Sequence, residues 1–269
     1  MTNDTPSLSN DDLDVSISAD ELVIRATIDR PESRNALNDA VFEGLLAVME
    51  VADDGPCRVV VIRGRGGQFC SGGDLQDMNE RETASVEERR ENASGLATLY
   101  ERMVSTSAPT VAAVEGYCLA GGCGLAAGCE FIVAAETATF GTPETHVGMF
   151  PMQAMAAIMP AVQEKQGLDM LFTGRHVSAT EARDIGLVTR VFEPEAFDEE
   201  LDALVDTLAS SSPVMISMGK EAYYNQRDMS FERAYGYLKE MLVLLMESDA
   251  HREGVAAFVE DRDPDWKAR

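Results

Sequence analysis

Four consecutive β-branched residues, Val59 to Ile62, constrain this chain more than any other feature. Side chains alternate faces along a strand, so an unbroken apolar run must be covered on both sides, as in a parallel sheet flanked by helices. The surrounding sequence repeats that theme. Val15–Ile17 and Leu22–Ile28 read as strands joined by a turn at Ser18-Ala19-Asp20, Arg58–Gly64 as a buried strand, and Thr110–Val114 and Phe131–Ala135 as further strands. Asn38 is placed to cap a helix reaching about Val51, with Val41, Leu45, Val48 and Met49 on one face. A charged helix is expected over about 85–105, then a loop at Gly116–Gly122 and a short helix containing Leu125–Gly128. Strands alternating with helices predict a parallel α/β architecture. Beyond Pro194 only helical periodicity remains, over about 195–210, 213–226, 230–247 and 250–262. Met215, Met218, Tyr237, Met241, Leu242 and Leu245 there predict a core or subunit-contact face.

Charge narrows the partners. Against 47 Asp and Glu stand 22 Lys and Arg, only four of them lysine (Lys165, Lys220, Lys239, Lys267), for a net charge of -25. Such a surface repels nucleic acid and anionic membrane, because binding either depends on neutralising phosphates. It also suits solvation in concentrated salt, so a salt-adapted cytoplasm is expected. Met1–Asp14 has neither a basic residue nor an apolar block and does not read as a signal peptide, and residues 1–12 are expected to form a mobile acidic tail. The charge-free stretch Gly116–Cys129 is too short and glycine-rich to span a bilayer. The five cysteines, Cys57, Cys70, Cys118, Cys123 and Cys129, form no C-x-x-C pair and read as small buried residues, so no metal site is expected.

Two glycine turns share one logic. Phe69-Cys70-Ser71-Gly72-Gly73-Asp74-Leu75 follows one buried strand and its loop, and Gly116-Tyr117-Cys118-Leu119-Ala120-Gly121-Gly122-Cys123-Gly124 follows another. Glycine pairs leave backbone N–H groups sterically open, and the second pair sits where a helix begins, with unpaired amides pointing outward. Two such amides, if they converge, make an oxyanion hole; if they do not, the glycines simply turn the chain. Neither segment has the spacing of a dinucleotide fingerprint, a P-loop or a nucleophile elbow, which argues against phosphoryl transfer and serine hydrolysis.

The motifs, in order, resemble the enoyl-CoA hydratase/isomerase (crotonase) family over roughly residues 15–266. The matching pieces are Ile28-Asp29-Arg30-Pro31-Glu32-Ser33-Arg34-Asn35-Ala36-Leu37-Asn38, the two glycine turns with Ala108–Glu115 leading into the second, and Phe140-Gly141-Thr142-Pro143-Glu144. Phe172-Thr173-Gly174, Ala182–Val188 and Glu253–Glu260 complete the set. The resemblance implies an α/β spiral of β-β-α turns over 13–196 that binds acyl-CoA, and a helical trimerisation region over 197–269. It implies Gly73 and Gly121 as oxyanion donors and Glu144 as an acid/base. It points to Arg34, Ser71, Gly73 and Asp74 as contacts for CoA, and Met78 and Met103 as acyl-pocket residues, for which core packing is an equal reading. An acyl-CoA thioester is the implied substrate, with no cofactor beyond its CoA, and a homotrimer or dimer of trimers is the implied assembly.

One departure bears on the chemistry. Family hydratases resemble one another in a second glutamate three residues after the second oxyanion glycine, and here that position is Gly124. Two carboxylates divide the work of activating water and protonating carbon, whereas one suffices to lift a proton from one carbon and return it to another. Double-bond isomerisation is therefore favoured slightly over hydration. Other reactions of the family (thioester hydrolysis, decarboxylation) and a non-catalytic acyl-CoA-binding role stay open as alternatives.

Overall fold

The computed structural model describes residues 8–74 and 84–267. In chain order the elements are β1 (Leu13–Ile17), β2 (Val23–Ile28), α1 (Asp39–Asp54), β3 (Val59–Gly64), α2 (Val86–Asn92), α3 (Gly95–Ser105), β4 (Thr110–Val114), β5 (Tyr117–Leu119), α4 (Gly121–Ala127), β6 (Phe131–Ala135) and β7 (Thr139–Gly141). There follow α5 (Met152–Ile158), α6 (Glu164–Thr173), β8 (His176–Ser178), α7 (Ala179–Asp184), β9 (Arg190–Phe192), α8 (Phe197–Ala209), α9 (Pro213–Gln226), α10 (Phe231–Met246) and α11 (Asp249–Glu260).

A six-stranded sheet runs β1-β2-β3-β4-β6-β9. Only the β1–β2 pair is antiparallel; every later neighbour is parallel. The β-branched run in β3 explains itself here. Val60 and Ile62 pack into one core with Val41, Leu45 and Met49 of α1 and Leu99 and Met103 of α3. Val59 and Val61 face the other way, into a second core with Phe197, Leu201, Leu204, Val205 and Leu208 of α8. Both faces are dry, which is why no polar residue interrupts the run.

Capping follows the sequence. The Asn38 side chain accepts from the Val41 N–H and starts α1, and Ser212 and Ser248 do the same for α9 and α11. The charged helix expected over 85–105 is instead two pieces, α2 and α3, interrupted at 93–94. Residues 9–12, expected within a mobile tail, are fastened: Asn10 donates to Ala40 O at 3.0 Å, and Asp12 accepts from Asn38 and pairs with Arg30.

The segment expected as a loop before Gly122 contains strand β5, which joins β7 and β8 in a second sheet of order β5-β7-β8. The chain thus places one strand in each sheet, β4 then β5 and β6 then β7, before its next helix. Three residues are too few to show periodicity, and β5 exists because of its neighbours: Cys70 N donates to Tyr117 O at 2.9 Å, and Leu119 N donates to Cys70 O at 2.9 Å.

Candidate active site

The first glycine turn is an irregular strand held on both sides. Towards Arg34–Leu37 it is tied by Ser71 N to Arg34 O (3.0 Å), Leu37 N to Gly72 O (2.7 Å) and Asp74 N to Leu37 O (3.0 Å). That ladder uses the groups flanking Gly73, so the Gly73 peptide nitrogen points to the opposite side. Opposite lies the second turn. Gly72 has φ +107°, and a Cβ there would lie 2.6 Å from Ala120 Cβ and 3.3 Å from Gly121 N; only glycine permits so close an approach.

Gly121 begins α4. A Cβ on it would stand 3.7 Å from Gly73 N, so the two peptide groups share one small space. Among the described residues neither Gly73 nor Gly121 donates its N–H to a backbone carbonyl. Between the turns Ala120 is held at φ 51°, ψ -128°, a conformation that costs an L residue about 1–3 kcal/mol. Two bonds fix it: Ala120 N donates to Gly141 O at 2.8 Å, and Gly124 N donates to Ala120 O at 3.1 Å.

The bond to Gly141 also brings in Glu144. β7 ends at Gly141, Thr142 is buried with its hydroxyl donating to Met170 O at 3.1 Å, and Pro143 opens a 3-10 turn, Pro143–Val147, that carries Glu144. Glu144 is half-buried, and its Oε2 is shielded from solvent with no hydrogen-bond partner. Burial raises its pKa above the ordinary carboxylate value, partly offset by a hydrogen bond from its own backbone N–H.

Position 124 is closed to any side chain. A Cβ on Gly124 would meet the Tyr100 hydroxyl at 2.6 Å, Ala154 Cβ at 2.8 Å and Ala154 Cα at 2.9 Å. One turn on, a Cβ on Gly128 would meet Tyr100 Cε1 at 2.8 Å. The Tyr100 ring, carried by α3, therefore lies in the groove that these two glycines leave on α4. Its hydroxyl is buried and unpartnered. Tyr100 had no sequence signal of its own; the signal was the pair Gly124 and Gly128, four apart on a short helix, which demands a large side chain from elsewhere.

The remaining expected site residues fall into three groups. Arg34 is exposed at φ 55° and makes no ion pair among the described residues, and Ser71 beside it donates to Ser33 O at 3.1 Å. Asp74 is 8% exposed and paired with Arg30 at 2.9 Å, so it braces the turn from within. Met103 is fully enclosed in the main core, and Met78 lies outside the described residues.

The comparisons with known proteins agree with this architecture. Residues 18–269 match the enoyl-CoA hydratase/isomerase family profile. The chain is 31% identical over 256 residues to 2,3-dehydroadipyl-CoA hydratase of Escherichia coli, covering 94% of this chain and 98% of that one. It is 33% identical over 244 residues to the mitochondrial enoyl-CoA hydratase domain-containing protein 3 of Danio rerio, covering 90% and 83%. Among solved structures, an enoyl-CoA hydratase from Mycobacterium smegmatis superposes with TM-score 0.90 at 31% identity, covering 96% of this chain and 99% of that one. No helix among the described residues is long and apolar enough to cross a membrane. By matched length, motif order and fold, this chain belongs to the enoyl-CoA hydratase/isomerase family.

Proposed function

We propose that this chain binds an acyl-CoA thioester with its carbonyl oxygen between the N–H groups of Gly73 and Gly121, and that Glu144 is its single acid/base. The observation that carries the reading is the shared space in front of Gly73 N and Gly121, together with an unpartnered, solvent-shielded carboxylate oxygen on Glu144, three residues past the Gly141 carbonyl that holds Ala120. Negative charge developing on the thioester oxygen is met by two fixed dipoles, each able to contribute about 3–4 kcal/mol. Arg34 meets the CoA phosphates in this reading, which its exposure and its lack of an ion pair among the described residues of a chain of net charge -25 support.

The reaction is double-bond isomerisation. Glu144 removes a proton from C2 of a 3-enoyl-CoA, the electron pair moves into the enolate, and the same carboxyl returns the proton to C4 as the double bond settles between C2 and C3. A carboxyl with a raised pKa suits both halves, because its acid form is strong enough to give back what its base form took. The closed wall at Gly124 supports one carboxylate rather than two. Hydration is the second reading, favoured by the hydratase names of the relatives, with Glu144 then taking one proton from water as its oxygen adds to C3 and giving that proton to C2. A paired assay in concentrated salt decides: faster 3-enoyl to 2-enoyl conversion than crotonyl-CoA hydration is expected, and the reverse order removes isomerisation.

The C-terminal helices support assembly as a homotrimer or dimer of trimers. Phe231, Tyr235, Leu242, Leu244, Phe258 and Val259 of α10 and α11 are large apolar side chains left exposed, the kind of surface that a subunit contact covers. Sedimentation at high salt tests this, and a monomer contradicts it. The acidic surface supports a salt-rich cytoplasm as the setting.

A further inference from the structure

The N–H of Gly73 has a chain of partners behind it. In a trans peptide the C=O and N–H point in opposite directions, and no peptide bond among the described residues is cis. The Gly73 N–H therefore shares its plane with the Gly72 carbonyl, which accepts from Leu37 N at 2.7 Å on the far side. The Leu37 N–H in turn shares its plane with the Ala36 carbonyl, and Ala36 O accepts from Arg30 Nη1 at 2.7 Å. A guanidinium, two peptide groups and the Gly73 N–H thus stand in one file, every donor pointing the same way.

Arg30 is held firmly in that place. Its side chain is 14% exposed, Nη2 pairs with Asp74 Oδ2 at 2.9 Å, and Nε lies 3.3 Å from Asp12 Oδ1 without a hydrogen bond. Its root is fixed as well, because Arg30 N donates at 3.0 Å to Oδ1 of the fully buried Asn35. The planar fork meets two carboxylates and a carbonyl at once, a set that the point charge of a lysine does not match. Two carboxylates alone would account for a structural cation. The third contact, to a carbonyl in line with Gly73, is the one they leave unexplained.

Hydrogen bonds in series polarise one another, each by about 10–30%. We propose that Arg30 is a positioning residue for the reaction: acting through the Ala36–Leu37 and Gly72–Gly73 peptides, it aims the Gly73 N–H and strengthens it as a donor to the thioester oxygen. Arg30 itself touches no substrate. The file responds most when that oxygen carries the negative charge of the enolate, so the effect falls on the chemical step more than on binding. The inference rests on Gly73 as an oxyanion donor and not on which reaction follows enolate formation.

Arg30→Lys keeps a positive charge between Asp12 and Asp74 and gives up the fork that reaches Ala36 as well. Asp12→Asn weakens the same cluster where Asp12 meets Asn38 at the start of α1, and leaves the bond to Ala36 in place. Both are compared with the parent by two readouts on saturating butyryl-CoA. One is the C=O stretch of the bound thioester, carbon-13 labelled at C1, in difference infrared spectra; the other is deuterium exchange at C2. In the parent, binding is expected to lower the stretch. Arg30→Lys is expected to return it part of the way to the free value and to slow exchange about tenfold, the worth of one hydrogen bond, with affinity unchanged. Asp12→Asn is expected to melt lower than the parent and to keep the parent's stretch and exchange. Parent-like stretch and exchange in Arg30→Lys, or a change in Asp12→Asn as large as in Arg30→Lys, overturns the proposal. A parent that neither lowers the stretch on binding nor exchanges at C2 overturns instead the oxyanion reading on which it rests.

Discussion

A methyl group on Gly121 would lie 3.7 Å from the backbone nitrogen of Gly73, in the space that the two N–H groups share. Its other neighbours, Leu37 Cδ1 at 3.7 Å and Gly72 Cα at 3.9 Å, are at ordinary contact distance. Gly121→Ala is therefore expected to fold with stability changed by no more than about 0.5 kcal/mol. The methyl would crowd the seat proposed for the thioester oxygen, so kcat/KM should fall about 100-fold or more. Thermal unfolding and steady-state kinetics on one preparation check both halves.

Gly124→Glu restores the residue that family hydratases resemble one another in carrying, yet no gain of hydration is expected. The new Cβ would meet Tyr100 and Ala154 at under 3 Å, and overpacking of this kind costs about 1–3 kcal/mol. A lower melting temperature without faster crotonyl-CoA hydration is the expected result.

Glu144 gives stability a pH dependence of known sign. Burial raises its folded pKa above the ordinary 4.5, so between those two values the folded protein holds a proton that the unfolded chain releases. Its contribution to stability therefore falls as pH rises through that window. Above it, a buried charge remains as a cost. Glu144→Gln should melt higher than the parent at about pH 7.5, with the difference vanishing below about pH 4. The acid limb of kcat/KM should likewise lie above the ordinary carboxylate value.

Away from the site, Lys220 joins α9 to the core. Its ammonium donates to Met103 O at 2.7 Å and Ala108 O at 2.9 Å and pairs with Glu130 at 3.1 Å. Glu130 in turn accepts from Thr110 and Tyr224. Lys220→Met leaves a shielded carboxylate and two carbonyls short of a donor, and a loss of about 3–5 kcal/mol in denaturant unfolding is expected.

Much of this was legible in the chain because the signals were local. The run Val59–Ile62 announces a strand dry on both faces, and Asn38 announces the start of a helix. What was not legible depends on contacts between distant segments. β5 is defined by Cys70 and by β7 more than by its own three residues. Residues 9–12 read as a tail because their partners, Ala40, Asn38 and Arg30, lie far along the chain. At the site, Gly73, Gly121 and Glu144 stood out through motif order. Asp74 drew attention by the same route, and its partner turned out to be Arg30. Tyr100 was invisible, since one tyrosine on a charged helix carries no sign of the groove it fills.

The most direct measurement is exchange of the C2 protons of butyryl-CoA in D2O, followed by NMR, because it reports enolate formation whatever reaction follows. The account predicts deuterium at C2 with the parent enzyme, and exchange at least about 100-fold slower in Glu144→Gln and Gly121→Ala although both still bind the thioester. No exchange in the parent, or equal exchange in all three, contradicts it.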